Sequence, residues 1–127
     1  LDQTARKSHC PAFAAAIERT YAPIQGDGSY PALRYNKEWS SFYRRGFMGY
    51  LFVSDCKENI ELARKMLTNP TWQDRGQACN VLAKWGEAKD KATLEQMAEN
   101  DGFSQRKRGV MVWPVRDICR RAAAQIK

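Results

Sequence analysis

Few side chains in this sequence have the type and the spacing that catalysis requires. The single histidine, His9, directly precedes Cys10, and neighbours on a chain entering a helix point in different directions, which disfavours a Cys–His nucleophile pair. Glu38 and Asp55 have no partner at a spacing that indicates a general acid and base. The glycines of 26–28 follow no strand and precede no Lys-Ser or Lys-Thr, so they do not form a phosphate-binding loop. We therefore predict that the protein is not an enzyme and binds no cofactor.

The cysteines offer covalent rather than catalytic chemistry. There are four of them, and an even number in a small chain favours two disulfides and an oxidising compartment; four buried, reduced thiols are the alternative. No CxxC motif or Cys–His cluster occurs, so we predict no metal site. Cys56 could pair with Cys79 across a helical hairpin, or with Cys10. Cys79 and Cys119 occupy nearly equivalent positions on successive helices, but we expect their backbones to lie about 8–10 Å apart, which is too far for a bridge unless the helices adjust.

The chain begins with Leu1 rather than Met. Together with the cysteines, this start predicts an exported protein whose signal peptide has been removed, and a boundary set by cloning is the alternative. No apolar run approaches the roughly 18 residues that a membrane span needs.

Basic residues outnumber acidic ones by 21 to 14, a net charge of +7. Such an excess favours an acidic partner, whether a protein, a nucleic acid or the cell envelope. The positive charges concentrate near the C-terminus and at one pair upstream: Arg106, Lys107, Arg108, Arg116, Arg120 and Arg121, with Arg44 and Arg45.

The spacing of apolar residues predicts six helices, at about 11–21, 36–53, 57–67, 70–85, 88–100 and 114–126. Pro11 is expected at the first helical position, and Asp55 with Glu58 is expected to form a capping box. The one segment that alternates as a strand would is 109–113. The predicted fold class is all-α.

The second predicted helix has an unusually aromatic stripe between Trp39 and Tyr50. We expect it to be the most buried helix. Gly46 and Gly49 lie along it, and a neighbouring helix that approaches closely would justify their cost of about 1 kcal/mol each in helix propensity.

The second half of the chain contains a repeat. Trp72 and Arg75 recur as Trp113 and Arg116, about 41 positions later, and apolar positions then coincide as Ala78 with Cys119, Val81 with Ala122, Leu82 with Ala123 and Trp85 with Ile126. A period near 40 in helical sequence is typical of helix-hairpin solenoids. With Pro114-Val115-Arg116 opening its last helix, this half resembles the HEAT/armadillo-like family. The length predicts one domain, 1–127. Grouped by their loops, the six helices form three antiparallel hairpins at about 11–53, 57–86 and 88–127, and the resemblance implies that these hairpins stack.

In a right-handed stack of hairpins, the loops within each hairpin emerge on one edge. The long loops 24–35 and 102–112 would then form two prongs beside the short loop 69–72, unless they pack down on the helices. Long irregular loops often carry binding residues, and aromatic and arginine side chains are favoured anchors. The predicted partner-binding residues are Tyr30, Tyr35, Phe103, Gln105, Arg106 and Lys107.

The chain resembles the periplasmic immunity proteins that neutralise peptidoglycan amidases delivered by type VI secretion. The shared features are its size, its even number of cysteines, its processed start, its helical hairpins and its lack of catalytic residues. This resemblance implies a non-catalytic inhibitor, often a homodimer, that occludes the active site of a toxin in the periplasm. The alternative is a basic HEAT-like protein that binds nucleic acid. That protein should lose affinity steeply as salt is raised.

Overall fold

The structure, a computed structural model, describes residues 3–21 and 32–127, with side chains described in 9–21 and 39–127. The described residues form six α-helices and two short strands: α1 (Gln3–Arg19), α2 (Ala32–Val53), α3 (Ile60–Met66), α4 (Trp72–Trp85), α5 (Ala88–Asn100), β1 (Gln105–Lys107), β2 (Val110–Val112) and α6 (Pro114–Gln125). The all-α prediction is confirmed at this level. Among these helices, none has the length and hydropathy to cross a membrane.

The chain divides into two compact units, Leu1–Leu62 and Ala63–Lys127. In the first unit, α1 packs against α2. Phe13 of α1 stacks on Tyr50, late in α2, with ring centroids 4.1 Å apart. Thr20, just after α1, accepts a hydrogen bond of 2.8 Å from Nε of Arg44, earlier in α2. Because the contacts run in opposite directions along the two helices, the pair is antiparallel.

Helix α1 begins at Gln3, so the prediction that Pro11 starts it is wrong; Pro11 lies inside the helix. A prolyl ring in a helix interior removes one backbone hydrogen bond and crowds the preceding turn. The adjacent residue, Cys10, forms a disulfide with Cys56, with the two Cα atoms 5.8 Å apart. A covalent tertiary bond therefore holds the turn that local propensity disfavours.

The two ends of α2 also differ from the prediction. The helix starts at Ala32 rather than near position 36. After Val53 the chain turns through Asp55, which has a positive φ of 56°, and the N–H groups of Asp55 and Cys56 donate to the carbonyls of Phe52 and Leu51 at 3.1 and 2.9 Å. This pair of bonds closes the helix in a Schellman motif. The predicted capping box at Asp55 is therefore wrong, because Asp55 ends one helix instead of starting the next.

Helix α2 does not bury its aromatic stripe. Its buried positions include Ser41, Arg44, Met48 and Leu51, whereas the aromatic rings between 39 and 50 are mostly exposed. Arg44 can occupy an inner position because its guanidinium donates to Thr20 and lies 4.0 Å from the ring centroid of Tyr21. The expectation that α2 is the most buried helix is wrong for its described residues, since α4 buries seven of its 14 residues.

In the second unit, α6 packs against both α4 and α5. The Cys79–Cys119 disulfide joins α4 to α6 with Cα atoms 5.2 Å apart, so the expected separation of about 8–10 Å was too large. Small residues allow the approach: a Cβ added at Gly76 would lie 3.1 Å from Cδ1 of Ile118, and Ala78 is fully buried. The two-disulfide prediction is confirmed, and the pairing of Cys56 with Cys79 is wrong.

Every apolar position matched by the repeat is buried in both helices: Ala78, Val81, Leu82 and Trp85 in α4, and Cys119, Ala122, Ala123 and Ile126 at α6. Helix α5 has the predicted bounds, Ala88–Asn100, and begins with a capping box between Glu87 and Asp90. Asp90 also accepts two hydrogen bonds of 2.9 Å from Arg64, which ties α3 to the start of α5.

Candidate protein-binding surface

The predicted loop 102–112 contains a β-hairpin, of which the sequence indicated only the second strand. Strands β1 and β2 are antiparallel, with Arg106 opposite Met111 and Lys107 opposite Val110. The two residues between the strands, Arg108 and Gly109, both have positive φ, 51° and 79°. Positive φ at both central residues defines the type I′ turn, whose twist matches that of the flanking strands. The loop therefore has a specified conformation.

Both faces of this hairpin are exposed. Residues directly opposite each other point to the same side of a sheet, and consecutive residues point to opposite sides. Arg106 and Met111 therefore share one face, and Lys107 and Val110 share the other. All four side chains are exposed, Met111 to 48% and Val110 to 62%. Each face thus presents one cation beside one apolar group.

Asp101, at the base of the hairpin, is the residue on which the surrounding contacts converge. Its buried carboxylate accepts hydrogen bonds from Nε and Nη2 of Arg75 at 2.7 and 3.1 Å. The same carboxylate accepts the N–H of Phe103 at 3.1 Å. The backbone carbonyl of Asp101 accepts a bond of 2.7 Å from Nε of Arg116. The two arginines matched by the repeat therefore hold one residue from two sides.

The electrostatics of the base follow from this geometry. Burial by itself raises the pKa of Asp101, but the hydrogen bonds from Arg75 and from the N–H of Phe103, with the charges of Arg75 and Arg116, bring the pKa below its ordinary value of 3.8. The carboxylate is therefore ionised at neutral pH and paired with a guanidinium that is itself only 16% exposed. A charged pair with so little exposure fixes the base far more firmly than a solvated surface pair would.

Aromatic contacts complete the base. The rings of Trp72 and Phe103 stack with centroids 4.7 Å apart and planes within 6°. The guanidinium of Arg116 lies 4.0 Å from the ring centroid of Trp113. The two tryptophans matched by the repeat thus lie before and after the hairpin in the sequence. Trp72 packs on Phe103 and Trp113 packs on Arg116, both at the base of the hairpin.

The predicted partner-binding residues have different positions. Tyr30 lies outside the described residues. Tyr35 lies within α2 and not in a loop, so its place on a loop prong is wrong. Phe103 is half-buried against Trp72, and therefore serves the base of the hairpin.

The other predicted residues lie on the hairpin itself. Gln105 is half-buried, whereas Arg106 and Lys107 are exposed on opposite faces. Sequence reasoning missed Val110 and Met111, although the glycine after Arg108 is a usable hairpin-turn signal.

Several of the basic residues face acceptors within the protein. Arg44 is buried and bonded to Thr20. Arg116 bonds the carbonyl of Asp101, and Arg120 bonds the carbonyl of Ala98 at 3.0 Å. Arg44 and Arg116 therefore each use part of their guanidinium for bonds within the protein. The cations of 106–108 are exposed on the hairpin, and Arg120 and Arg121 are exposed on α6.

A second exposed surface was not expected. We call Trp39, Phe42, Tyr43, Tyr50 and Val53 the α2 aromatic surface; all five side chains are exposed. Phe42, Tyr43 and Tyr50 of this surface, together with Phe13, Phe47 and Arg45, line a groove between α1 and α2 of about 470 Å³.

The disulfides also bear on metal binding. Within the described part of the chain, the grouping of possible metal donors is Cys10, Cys56 and Glu58. The two sulfurs of this grouping are bonded to each other, so they offer no thiolate to a metal ion.

No family model, curated protein or solved structure matches this chain.

Proposed function

We propose that this protein is a non-catalytic binding module that inhibits a partner enzyme by inserting the β1–β2 hairpin into its active-site cleft. The observation that carries the proposal is the exposure of both hairpin faces, each with a cation and an apolar side chain. A flat docking site would contact one face only. A cleft with two walls contacts both and removes both apolar groups from water.

The base of the hairpin supports this role. Because Arg75, Arg116 and the Trp72–Phe103 stack hold the segment before β1, little conformational entropy is lost when the hairpin binds. Pre-organisation of this kind increases affinity by reducing the cost of ordering. The cations predict acidic groups on both walls of the cleft and faster association at low salt.

The proposed partner is a secreted toxin that degrades the cell wall, for example a peptidoglycan amidase, and the protein is its immunity protein in the periplasm. Two disulfides are consistent with an oxidising compartment. We include in the proposal the HEAT-like organisation into three hairpins, which the antiparallel pair α1–α2 and the packing of α5 on α6 support.

The test uses the product of the gene next to this protein's gene, which the proposal expects to be the toxin, and an assay of peptidoglycan hydrolysis. Arg106→Glu and Lys107→Glu change opposite faces of the hairpin, and each should weaken inhibition by about 30-fold or more, the size of an interface hot spot. Arg121→Glu is the matched control, since it makes the same charge change at an exposed position of α6.

Equal loss in all three variants would show that general electrostatics, and not insertion of the hairpin, drives binding. Full inhibition by both hairpin variants would remove the proposal. Circular dichroism should show unchanged helicity in every variant.

Nucleic-acid binding remains the alternative. It is less favoured because Arg44 and Arg116 bind acceptors within the protein and because four cysteines form disulfides. Titration of labelled single- and double-stranded oligonucleotides at increasing salt separates the two functions. A nucleic-acid binder should show a linear fall of log K with log salt, whose slope counts the phosphates contacted.

A further inference from the structure

Each strand of the hairpin has an outer edge. Strands β1 and β2 form a two-stranded sheet, so among the described residues neither outer edge is paired with a further strand. The N–H and C=O groups along such an edge are a template for a strand from another chain. Addition of a strand in this way is a recurring mode of peptide recognition. The hairpin can therefore bind through its backbone as well as through the side chains on its two faces.

The register identifies the backbone groups that lie on these edges. Lys107 and Val110 flank the two-residue turn and exchange both of their backbone hydrogen bonds. Because hydrogen-bonded and non-hydrogen-bonded pairs alternate along antiparallel strands, the next pair, Arg106 and Met111, points its N–H and C=O groups away from the sheet. Within the described part of the chain, no backbone group outside the sheet bonds them. Arg106 therefore offers one donor and one acceptor at the edge of β1, and Met111 offers the same at the edge of β2.

Charge distinguishes the two edges. Strand β1 carries Arg106 and Lys107, which are exposed on opposite faces, whereas Val110–Val112 contains no charged residue. On a strand added to β1, the residue beside Arg106 would share its face, and the following residue would lie beside Lys107 on the other face. Opposite charges that neighbour each other across strands stabilise the pair. Two consecutive acidic residues on the added strand would thus meet one cation each.

A second copy of β1 does not fit this edge. If β1 added to β1 about Arg106, the guanidinium of Arg106 would lie beside the same group of the other copy. Like charges directly opposite each other destabilise a strand pair, and proteins use charged edge strands to prevent association with themselves. The edge of β1 therefore rejects its own copy and selects a strand of opposite charge.

We propose that an extended segment of the partner, with two consecutive Asp or Glu residues, adds to the outer edge of β1 and bonds the N–H and C=O of Arg106. This inference rests on the proposed inhibitory function and specifies how the hairpin is held. The walls of the cleft cover its two faces, and the added strand covers one edge. The backbone bonds supply affinity, and the two carboxylates select the segment.

The first test measures the dissociation constant of the complex with the product of the neighbouring gene. Arg106→Ala removes the charge and keeps the N–H, whereas Arg106→Pro removes both. Proline is compatible with an edge position whose N–H faces outwards, so the hairpin should persist. Arg106→Pro should bind about tenfold more weakly than Arg106→Ala, because an acceptor of the partner loses its donor. Met111→Ala and Met111→Pro are the matched controls at the other edge and should bind alike. Equal affinity of the two Arg106 variants, or a comparable difference between the two Met111 variants, would overturn the proposal.

The second test uses the unmodified protein and follows hydrogen exchange of single amides by NMR. In the free protein, the N–H of Arg106 should exchange faster than that of Val110, which bonds within the hairpin. In the complex, exchange at Arg106 should slow by about tenfold more than exchange at Met111. Unchanged exchange at Arg106, or equal slowing at both, would contradict strand addition to β1. The inhibitory function is tested separately by Arg106→Glu and Lys107→Glu, whose loss of inhibition would stand even if the N–H of Arg106 were unprotected.

Discussion

Replacing Asp101 with asparagine tests whether one buried carboxylate holds the base of the hairpin. The asparagine side chain would keep nearly the same shape, and its amide oxygen could still accept the N–H of Phe103. The amide nitrogen, however, would face the donors of Arg75, which now bond both carboxylate oxygens at 2.7 and 3.1 Å. The substitution therefore removes the charge and leaves the packing almost unchanged.

The size of the effect follows from the exposure of the pair. The side chains of Arg75 and Asp101 are only 16% and 5% exposed, so solvent screens their attraction weakly. Breaking a buried pair by removing one charge costs about 3–5 kcal/mol. Arg75 would keep its bonds to the carbonyls of Asn69 and Pro70 at 3.0 and 2.9 Å. We therefore expect the lower end, a loss of about 3 kcal/mol in the free energy of unfolding.

The measurement is urea unfolding followed by circular dichroism, with both disulfides intact. With an m-value of about 1.5 kcal/mol/M, the midpoint should fall by about 2 M. Arg75→Met and the double variant complete a thermodynamic cycle, and the coupling between the two sites should be about 2 kcal/mol. A loss below about 1 kcal/mol, or a coupling near zero, would show that the pair behaves as an exposed salt bridge. The account of a rigid hairpin base would then be wrong.

Three further predictions concern the second unit. The pKa values of Asp90 and Asp101 lie below the ordinary 3.8 when the chain is folded, so the two ionised carboxylates stabilise the fold above that pH. This stabilisation should be lost as the pH falls from about 4 towards 2. Thermal melts across that range should show a falling melting temperature, and the fall should be smaller in Asp101→Asn. Gly86→Ala should lower the free energy of unfolding by about 1–3 kcal/mol, measured in urea. The added Cβ would press on the carbonyl oxygen of Leu82 and lie 2.9 Å from Cδ1 of Ile126. Gly109→Ala, at a φ of 79°, should cost about 1–2 kcal/mol locally and speed hydrogen exchange of β1 and β2, while exchange in α5 stays unchanged.

The sequence predicted those helices whose ends have local signals. Gly86 separates α4 from α5, whose bounds are as predicted, and α6 begins at Pro114 as predicted. The ends of α2 could not be predicted in this way, because Asp55 is equally compatible with capping the next helix and with the left-handed turn that it adopts.

Which side of α2 is buried was also beyond local reasoning. Both of its stripes have helical spacing, and the aromatic one is the more apolar. The buried stripe includes Arg44, whose burial depends on Thr20 and Tyr21 from the preceding helix and its end. A contact of that kind is set by tertiary packing and has no signal within α2 itself.

The disulfide between α4 and α6 depends on a similar detail. The expected spacing of helices with ordinary side chains disfavoured a bridge between Cys79 and Cys119. Gly76 and Ala78 reduce that spacing. The interaxial distance depends on the residues at the contact, so a general value could not decide the pairing.

The repeat explains why the hairpin lies where it does. In the first copy, Trp72 and Arg75 open α4 after a short turn; in the second, Trp113 and Arg116 open α6 directly after β2. The arginine of each copy bonds Asp101: Arg75 donates to its carboxylate and Arg116 to its backbone carbonyl. The two arginines therefore bond different acceptor groups of the same residue. If the hairpin inhibits a partner as we propose, removing either arginine should weaken inhibition, because the hairpin would no longer be held in position. An Arg116→Lys variant keeps the charge, so it should associate with the partner more slowly while the salt dependence of binding stays unchanged.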